Sequence, residues 1–212
     1  MTLTESDIIL NRTGERIISA DSHVSISQEQ VKANLDPKFH PDYDKAQQAF
    51  AARVAANMSS AQVNADAMKR NPHAAFTRPG YHTASDRLAD MNADGVDIEV
   101  IYSEVSAFRY IGDMERGAAE ATRAFNDVLT QFASADPRRL VVSYQIPIHD
   151  IDAAVAEVHR VASMGAKSLQ IPVFPTELGQ PDYFHDRYAP LWSAVQDTGL
   201  PMCCHIGINT NL

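Results

Sequence analysis

The chain has few of the features that would place it in a membrane or outside the cell. No run of 18 or more apolar residues occurs, and the segment Met1 to Arg16 is polar with mixed charge, so we expect neither a membrane span nor a signal peptide. Cysteine is scarce, since Cys203 and Cys204 are the only two. Because they are adjacent, they exclude a framework of disulfide bridges and indicate a reducing, cytoplasmic setting.

Basic residues are also in deficit. The 18 lysines and arginines are outnumbered by 27 acidic residues, which gives a net charge of −9. This charge argues against binding to nucleic acid or to an anionic membrane surface. The remaining composition is ordinary for a globular protein, with 45% hydrophobic and 21% charged residues. Its 212 residues suffice for one sizeable hydrophobic core or for two small domains.

Five apolar, β-rich segments alternate with amphipathic segments along the chain. The predicted strands cover residues 17–24, 98–102, 140–147, 168–172 and 201–207. The segments between them have helical periodicity, most clearly residues 113–135, and Ser85 and Asp150 are predicted helix N-caps. Regular alternation of this kind predicts a parallel β-sheet with helical crossovers.

A long excursion separates the first predicted strand from the second. Residues 25–82 are rich in alanine, glutamine and asparagine, and the centre, 42–69, has Ala46, Phe50 and Val54 at helical spacing. Two interpretations remain open. The segment is either a partly helical lid over a functional site or a helical hairpin that only packs on the domain.

The first predicted strand ends in an acid and an imidazole two residues apart. Alternate residues of a strand project to the same side, so Asp21 and His23 are predicted to lie together, with Ile17 and Ser19 behind them. His205 lies near the end of the fifth strand, and the carboxyl ends of parallel strands meet at one rim. A carboxylate and two imidazoles are typical ligands of a divalent metal. The alternative is that they only form hydrogen bonds at the strand ends.

The later strands each have one polar side. The polar residues alternate as Ser143, Gln145, Ser168, Gln170, Cys203 and His205. The opposite sides of the same strands are mostly apolar and suit burial under helices. We therefore expect the polar sides to face the inside of a barrel or a crevice near a site.

Short motifs spread over residues 17–207 resemble a known family in their order and spacing. The motifs are residues 20–24, 87–91, 94–97, 135–140, 164–167, 188–192 and 205–207. Each is weak alone, but together they resemble the amidohydrolase-related branch of the amidohydrolase superfamily. That branch includes metal-dependent non-oxidative decarboxylases, such as aminocarboxymuconate-semialdehyde and hydroxybenzoate-type decarboxylases.

The resemblance implies a distorted (β/α)8 barrel of the TIM type with one divalent ion, zinc or manganese. Family ligands are an acid-x-His or His-x-His pair on the first strand, a His on the fifth and an Asp on the eighth, and Asp21, His23 and His205 match the first two positions. The binuclear branch has a carbamylated lysine at the end of the fourth strand. This chain has Gln170-Ile171-Pro172 there, so a single ion is expected.

Five βα units are recognised in the sequence, whereas a complete barrel takes about 250 residues. We expect residues 1–212 to form a single partial barrel domain in which 25–82 is a largely helical insertion. The catalytic His and the Asp ligand of the family are expected beyond residue 212. An isolated piece would expose its first and fifth strands as edges, and we also expect a homo-oligomer.

The implied activity is that of a metal-dependent carboxy-lyase acting on a small aromatic or unsaturated carboxylate. A hydrolase of an amide, ester or lactone at the same site is one alternative, and an inactive fragment that acts as an association module is a second. The candidate substrate-binding residues are Arg109, Tyr102, Phe174 and Gln170. Arg109 is either a clamp for the substrate carboxylate or an exposed surface arginine, and His149 is expected to belong to a helix cap.

Overall fold

Five parallel strands form the sheet on which the helices pack. A computed structural model describes residues 14–60, 78–103 and 107–205. The strands in chain order are β1 Ile18–Val24, β2 Ile98–Ser103, β3 Leu140–Gln145, β4 Ser168–Pro172 and β5 Met202–His205. Each pairs in parallel with the next, in the order β1-β2-β3-β4-β5. The parallel sheet predicted from the alternation is therefore confirmed.

The sheet is curled, so that its two outer strands approach each other at their carboxyl ends. In a flat sheet β1 and β5 would be about 19 Å apart, because neighbouring strands are spaced by about 4.8 Å. Instead, Oδ1 of Asp21 on β1 lies 3.0 Å from Nε2 of His205 on β5. A parallel sheet curled in this way is part of a TIM-type barrel. The predicted fold class, the first five βα units of a (β/α)8 barrel, is confirmed.

Along the chain the helices connect successive strands, and their apolar stripes are buried. Within the described residues they are α1 Gln28–Asn34, α2 His40–Ser60, α3 Ala84–Asp94, α4 Ala118–Ala133, α5 Ile151–Ser163 and α6 Ala189–Thr198. Phe125 of α4, Val158 of α5 and Leu191 of α6 are each at most 1% exposed. In the described part of the chain, no helix is long and apolar enough to cross a membrane.

Two predicted helix starts need correction, while a third is confirmed. The N-cap of α3 is Thr83 rather than Ser85, because the Thr83 side chain accepts a hydrogen bond from the backbone N–H of Asp86. Helix α4 begins at Ala118 rather than near residue 113, because Gly117 has a φ of 79°, a left-handed conformation that ends the helical backbone. Asp150 caps α5 by accepting from the N–H of Ala153 at 3.0 Å, as predicted.

Helices α1 and α2 pack beside α4 and against the loop that follows β2. Val31 and Tyr43 are buried, and Asp42 and Arg53 of α2 form ion pairs with Arg116 and Asp113 at 2.9 and 2.6 Å. The predicted helical centre, 42–69, is helical as far as Ser60, and residues 61–77 lie outside the described part. The choice between a lid and a packed hairpin stays open.

Strand β3 pairs with its two neighbours through different halves. Its first half pairs with β2, ending at Val142 opposite Ile101, and its second half pairs with β4. Beyond Val142, the side chain of Asn126 from α4 takes the place of β2. Its amide oxygen accepts from the N–H of Gln145 at 3.0 Å, and its amide nitrogen donates to the C=O of Gln145 at 2.9 Å.

Candidate metal centre

The three predicted metal ligands converge at the carboxyl ends of β1 and β5. Nε2 of His205 lies 3.0 Å and Nε2 of His23 lies 4.0 Å from the same oxygen, Oδ1 of Asp21. The two imidazole rings are 5.1 Å apart between centroids. One ligand atom from each of the three residues lies within 4.8 Å of the others. The curl of the sheet therefore brings together residues that are far apart in sequence.

The chemistry of this donor set fits a divalent ion. Imidazole nitrogen and carboxylate oxygen are the usual ligands of zinc, and both are also ligands of manganese. Among the described residues the candidate ligands number three, and three protein ligands with an open position for water or substrate are the pattern of catalytic rather than structural zinc sites. The side chains of His23 and His205 are 26% and 18% exposed, so the group is open to solvent on one side.

A β-bulge in β1 contains Asp21 and precedes His23. Ser19 pairs with Glu99 of β2. The next pairing is between Ser22 and Ile101, so two residues of β1 stand opposite one of β2. Ser19 and Ser22 thus share a face, and their hydroxyls lie 2.8 Å apart. The prediction that Ser19 lies behind His23 is wrong, because alternation fails across a bulge.

Tyr102 of β2 forms one wall of the group. Its ring is stacked on that of His205, with 4.3 Å between centroids and 17° between the planes, and it lies 6.0 Å from the ring of His23. Burial raises the pKa of Tyr102 to about 12, and a hydrogen bond with Cys203 raises it as well. The phenol is therefore neutral at physiological pH.

Below the histidines, small protic groups line the inner face of the sheet. The hydroxyls of Ser143 and Ser168 lie 3.0 Å apart, and that of Ser168 lies 3.3 Å from Sγ of Cys203. All three belong to the alternating polar set, and the serines are buried. The expectation that this side faces a barrel interior agrees with their burial and mutual contacts.

The remaining candidate substrate residues lie in different surroundings. Arg109 is partly buried in the loop after β2; this burial lowers the pKa of its guanidinium, and the charge of Glu177 opposes the shift. Phe174, in the loop after β4, is 54% exposed. Gln170 is 1% exposed, and its side-chain oxygen has no hydrogen-bond partner among the described residues. Arg109 is therefore not a fully exposed surface arginine.

His149 follows β3 and is held through its backbone. Its carbonyl accepts a hydrogen bond from Nη2 of Arg187 at 3.2 Å, while the cap of α5 is formed by the side chain of the next residue, Asp150. Burial lowers the pKa of the His149 imidazole. The side chain of His149 is thus adjacent to the cap without forming it.

A cavity of about 400 Å³ borders Asp21 and His23 on the side of α3. Its walls include Arg78 and Arg87. Both arginines are already paired, with Asp90 at 3.0 Å and with Glu99 at 2.6 Å respectively. A substrate carboxylate in this cavity would therefore have to compete with the existing ion pairs.

The sequence pattern of the amidohydrolase family matches residues 36–211. The chain belongs to the amidohydrolase family. The resemblance noted from the short motifs is confirmed, since the match covers most of the chain. The matched region contains β2 to β5 and therefore His205, whereas β1 with Asp21 and His23 precedes it.

The curated relatives of this chain include two gamma-resorcylate decarboxylases. The protein from a Rhizobium species (strain MTP-10005) is 31% identical over 123 residues, which cover 56% of this chain and 37% of the relative. The protein from Rhizobium radiobacter is 30% identical over the same share of each chain. The aligned region is thus little more than a third of each relative.

Solved structures share the fold of this chain. A 2,6-dihydroxybenzoate decarboxylase complexed with 2,6-dihydroxybenzoate has a TM-score of 0.58 at 21% identity, and the match covers 90% of this chain and 50% of that one. A 5-carboxyvanillate decarboxylase from Novosphingobium aromaticivorans, with bound manganese, has a TM-score of 0.61 at 18% identity. This match covers 91% of this chain and 51% of that one. The chain spans about half the length of these structures.

Two features of the centre were not predicted from the sequence. The first is the bulge, which has no glycine or proline to mark it in residues 19–22. The second is the stacking of Tyr102 on His205. The strand pattern predicted an inward histidine and a candidate tyrosine, but the distance between β2 and β5 depends on the curl of the whole sheet.

Proposed function

We propose that this chain carries the metal-binding part of a decarboxylase that acts on a small aromatic carboxylic acid. The observation that carries the proposal is the convergence of Asp21, His23 and His205 within 4.8 Å at the carboxyl rim of the sheet. The carboxyl rim is where parallel barrels have their active sites. The naming of both curated relatives as gamma-resorcylate decarboxylases supports decarboxylation over other reactions of the family.

Asp21, His23 and His205 would hold one divalent ion, manganese or zinc. Manganese is favoured by the solved 5-carboxyvanillate decarboxylase, which contains that ion. When bound, the ion supplies a Lewis acid that polarises a substrate carboxylate or hydroxyl and stabilises the charge that develops as a C–C bond breaks. Asp21 would offset part of the positive charge of the ion, and both histidines must be neutral to bind it.

The substrate contacts that we assign lie at the rim and on the inner wall. Arg109 has a partly buried guanidinium, and a charged donor of this kind suits a carboxylate. Phe174 offers an exposed aromatic face against which a planar substrate would pack. Tyr102 and Gln170 are assigned to the inner wall, where Tyr102 already contacts His205.

The experiment that tests this function uses the protein expressed from its complete reading frame. Manganese or zinc is added to the metal-free protein, and release of CO2 from 2,6-dihydroxybenzoate and 5-carboxyvanillate is followed. We expect metal-dependent CO2 release from at least one of these acids. The Asp21→Asn variant should lose most of this activity, because an amide is a much weaker ligand for the ion.

A set of amide, ester and lactone substrates provides the comparison with hydrolysis. Metal-dependent hydrolysis without CO2 release would replace the decarboxylase proposal with the hydrolase alternative. A protein that binds no divalent ion at micromolar concentration would overturn the metal centre itself. The matched control variant is Asp152→Asn, which changes an exposed acid in the first turn of α5 and should leave activity unchanged.

A further inference from the structure

A metal-binding histidine needs a second contact that fixes the orientation of its ring. In most metal sites the ring nitrogen away from the ion donates a hydrogen bond to a carboxylate or a carbonyl. In this chain Nε2 of His205 and Nε2 of His23 both face Asp21, so Nδ1 is the nitrogen left for that contact. Among the described residues, no hydrogen bond to Nδ1 of His205 is found. Among the described residues, the ring contacts of His205 are then the ones that can fix its orientation.

The ring of Tyr102 provides such a contact. The two rings are nearly parallel, at 17°, and their centroids are 4.3 Å apart. A stacked pair restricts rotation of the imidazole about its χ2 bond, because turning the ring out of plane would bring its edge into the phenol face. The stacked orientation is also the one in which Nε2 of His205 lies 3.0 Å from Asp21.

Tyr102 is itself held firmly enough to act as a support. It is 5% exposed, and its hydroxyl interacts with Cys203 and Ser143. These two groups are joined through Ser168, which lies 3.0 Å from Ser143 and 3.3 Å from Cys203. These protic side chains thus link β2 to β3, β4 and β5. They are Tyr102, Ser143, Ser168 and Cys203. A phenol fixed at this depth presents its ring face, rather than its hydroxyl, to the metal ligands.

We propose that Tyr102 is a positioning residue that orients the imidazole of His205 for metal binding through ring stacking. The proposal rests on the metal centre described under the proposed function. It differs from the assignment of Tyr102 as a substrate contact, because it predicts an effect on metal affinity when no substrate is present. The ring is the essential feature, and the hydroxyl serves only to hold it in place.

The test measures manganese affinity by competition with a chelator for wild type and two variants. Tyr102→Phe keeps the ring and should bind manganese nearly as tightly as wild type. Tyr102→Leu removes the ring and should weaken binding about 10- to 100-fold, the usual effect of losing an outer contact to a metal ligand. Cobalt is then bound in place of manganese, and its visible absorption spectrum should change in Tyr102→Leu alone.

The matched control is Tyr144→Leu. Tyr144 is also a buried strand tyrosine, 7% exposed, but its hydroxyl lies 3.0 Å from Thr130 of α4 and its side chain is on the helix-facing side of β3. This variant should lower the free energy of unfolding without changing manganese affinity. Comparison of the manganese affinities of Tyr144→Leu and Tyr102→Leu therefore separates a general loss of stability from a loss of ring orientation at His205.

The outcomes distinguish the positioning role of Tyr102 from the metal centre on which it rests. Wild-type affinity in Tyr102→Leu would overturn the positioning role and leave the metal centre intact. Weak binding by Tyr102→Phe would overturn it too, since the hydroxyl would then be the essential group, and this result counts even if Tyr102→Leu fails to fold. Absence of manganese binding by the wild type would overturn both the positioning role and the metal centre.

Discussion

Asp21 is the most exposed member of the proposed ligand set. Its side chain is 73% exposed, against 26% for His23 and 18% for His205. The nearest imidazole nitrogen, Nε2 of His205, lies at hydrogen-bonding distance from its carboxylate. Binding of an ion would replace this direct contact with two bonds to the metal. The exposed carboxylate can adjust to that change more readily than the two histidines, which are held within the sheet.

Replacement of His205 by alanine is expected to remove the ion with little effect on the fold. The side chain lies at a strand end, where it adds little to the hydrophobic core, so we predict a change of about 1 kcal/mol or less in the free energy of unfolding. Metal content measured by mass spectrometry and a urea unfolding curve check both parts. His159→Ala, which changes an exposed histidine of α5, is the control. Unchanged metal content in His205→Ala would show that His205 is only structural.

At the scale of elements, Asn126 joins α4 to both β3 and α5. Its amide nitrogen donates to the C=O of Gln145 and, at 2.6 Å, to Oε1 of Glu157. Glu157 is in turn bound by Nη2 and Nε of Arg160, each at 2.7 Å. Asn126 is fully buried, so water cannot replace it. The carboxyl half of β3 therefore depends on one side chain for the contacts that β2 makes elsewhere.

Asn126→Ala should destabilise the protein markedly. The substitution leaves the N–H and C=O of Gln145 buried without partners, and each unpaired buried group destabilises by about 1–3 kcal/mol. We predict a total loss of roughly 3 kcal/mol in urea unfolding. The control is Asn92→Ala in α3, which removes one exposed contact with Arg139 and should have a much smaller effect. Equal losses in the two variants would show that the role of Asn126 is overstated.

The packing of α2 on the loop after β2 is expected to depend on pH. The hydroxyls of Tyr43 and Tyr110 lie 3.4 Å apart, and burial raises the pKa of both. Unfolded tyrosine ionises near pH 10. The stabilisation is therefore fully present below that pH and is lost as the pH rises through the higher pKa of the folded state.

We predict that the urea midpoint falls as the pH is raised above about 10. The double variant with Tyr43→Phe and Tyr110→Phe should show a smaller fall, because neither phenylalanine can ionise. Unfolding curves at a series of pH values for both proteins provide the measurement. An identical pH dependence in the two proteins would assign the effect to other groups.

The sequence predicted the elements better than it predicted the contacts between them. Within the described residues the strand ends were placed to within two residues, because alternation and apolar runs depend on local sequence. The predicted end of the fifth strand, residues 206–207, lies outside the described part. The start of α4 was placed too early, because the amphipathic pattern does not show that Gly117 adopts a left-handed backbone. The orientation of Ser19 was wrong because a bulge depends on pairing with β2. The metal ligands were predicted by residue type and strand position, and their binding role stays a prediction.

At the scale of the whole molecule, β1 and β5 are the outer strands of the described sheet. The described residues place no further strand beside either of them. Ile17, just before β1, and Ile18, its first residue, are 48% and 56% exposed. Unpaired strand edges with exposed apolar side chains favour association. The expectation of a homo-oligomer has this physical basis.

We predict that the 212-residue polypeptide self-associates at micromolar concentration. Ile18→Lys places a charge at the edge of β1 and should raise the fraction of monomer, because charged edges oppose strand pairing. Light scattering coupled to size-exclusion chromatography measures the molar mass of the wild type and the fraction of monomer in the variant. Met164→Lys is the control, since Met164 is also exposed, at 44%, but follows α5 away from the edge. A monodisperse wild-type monomer would contradict the prediction.

The contact between Asp21 and His205 joins residues 184 positions apart. During synthesis β1 emerges from the ribosome before the other described strands and β5 emerges after them. The proposed ligand set therefore cannot assemble until the described part of the sheet has curled. Contacts between residues far apart in sequence also form slowly, because the intervening chain must lose conformational entropy before the two residues can meet. Ion capture would then mark the end of folding rather than guide its beginning. The rate of manganese binding after dilution from denaturant would therefore report the rate at which β1 and β5 come together.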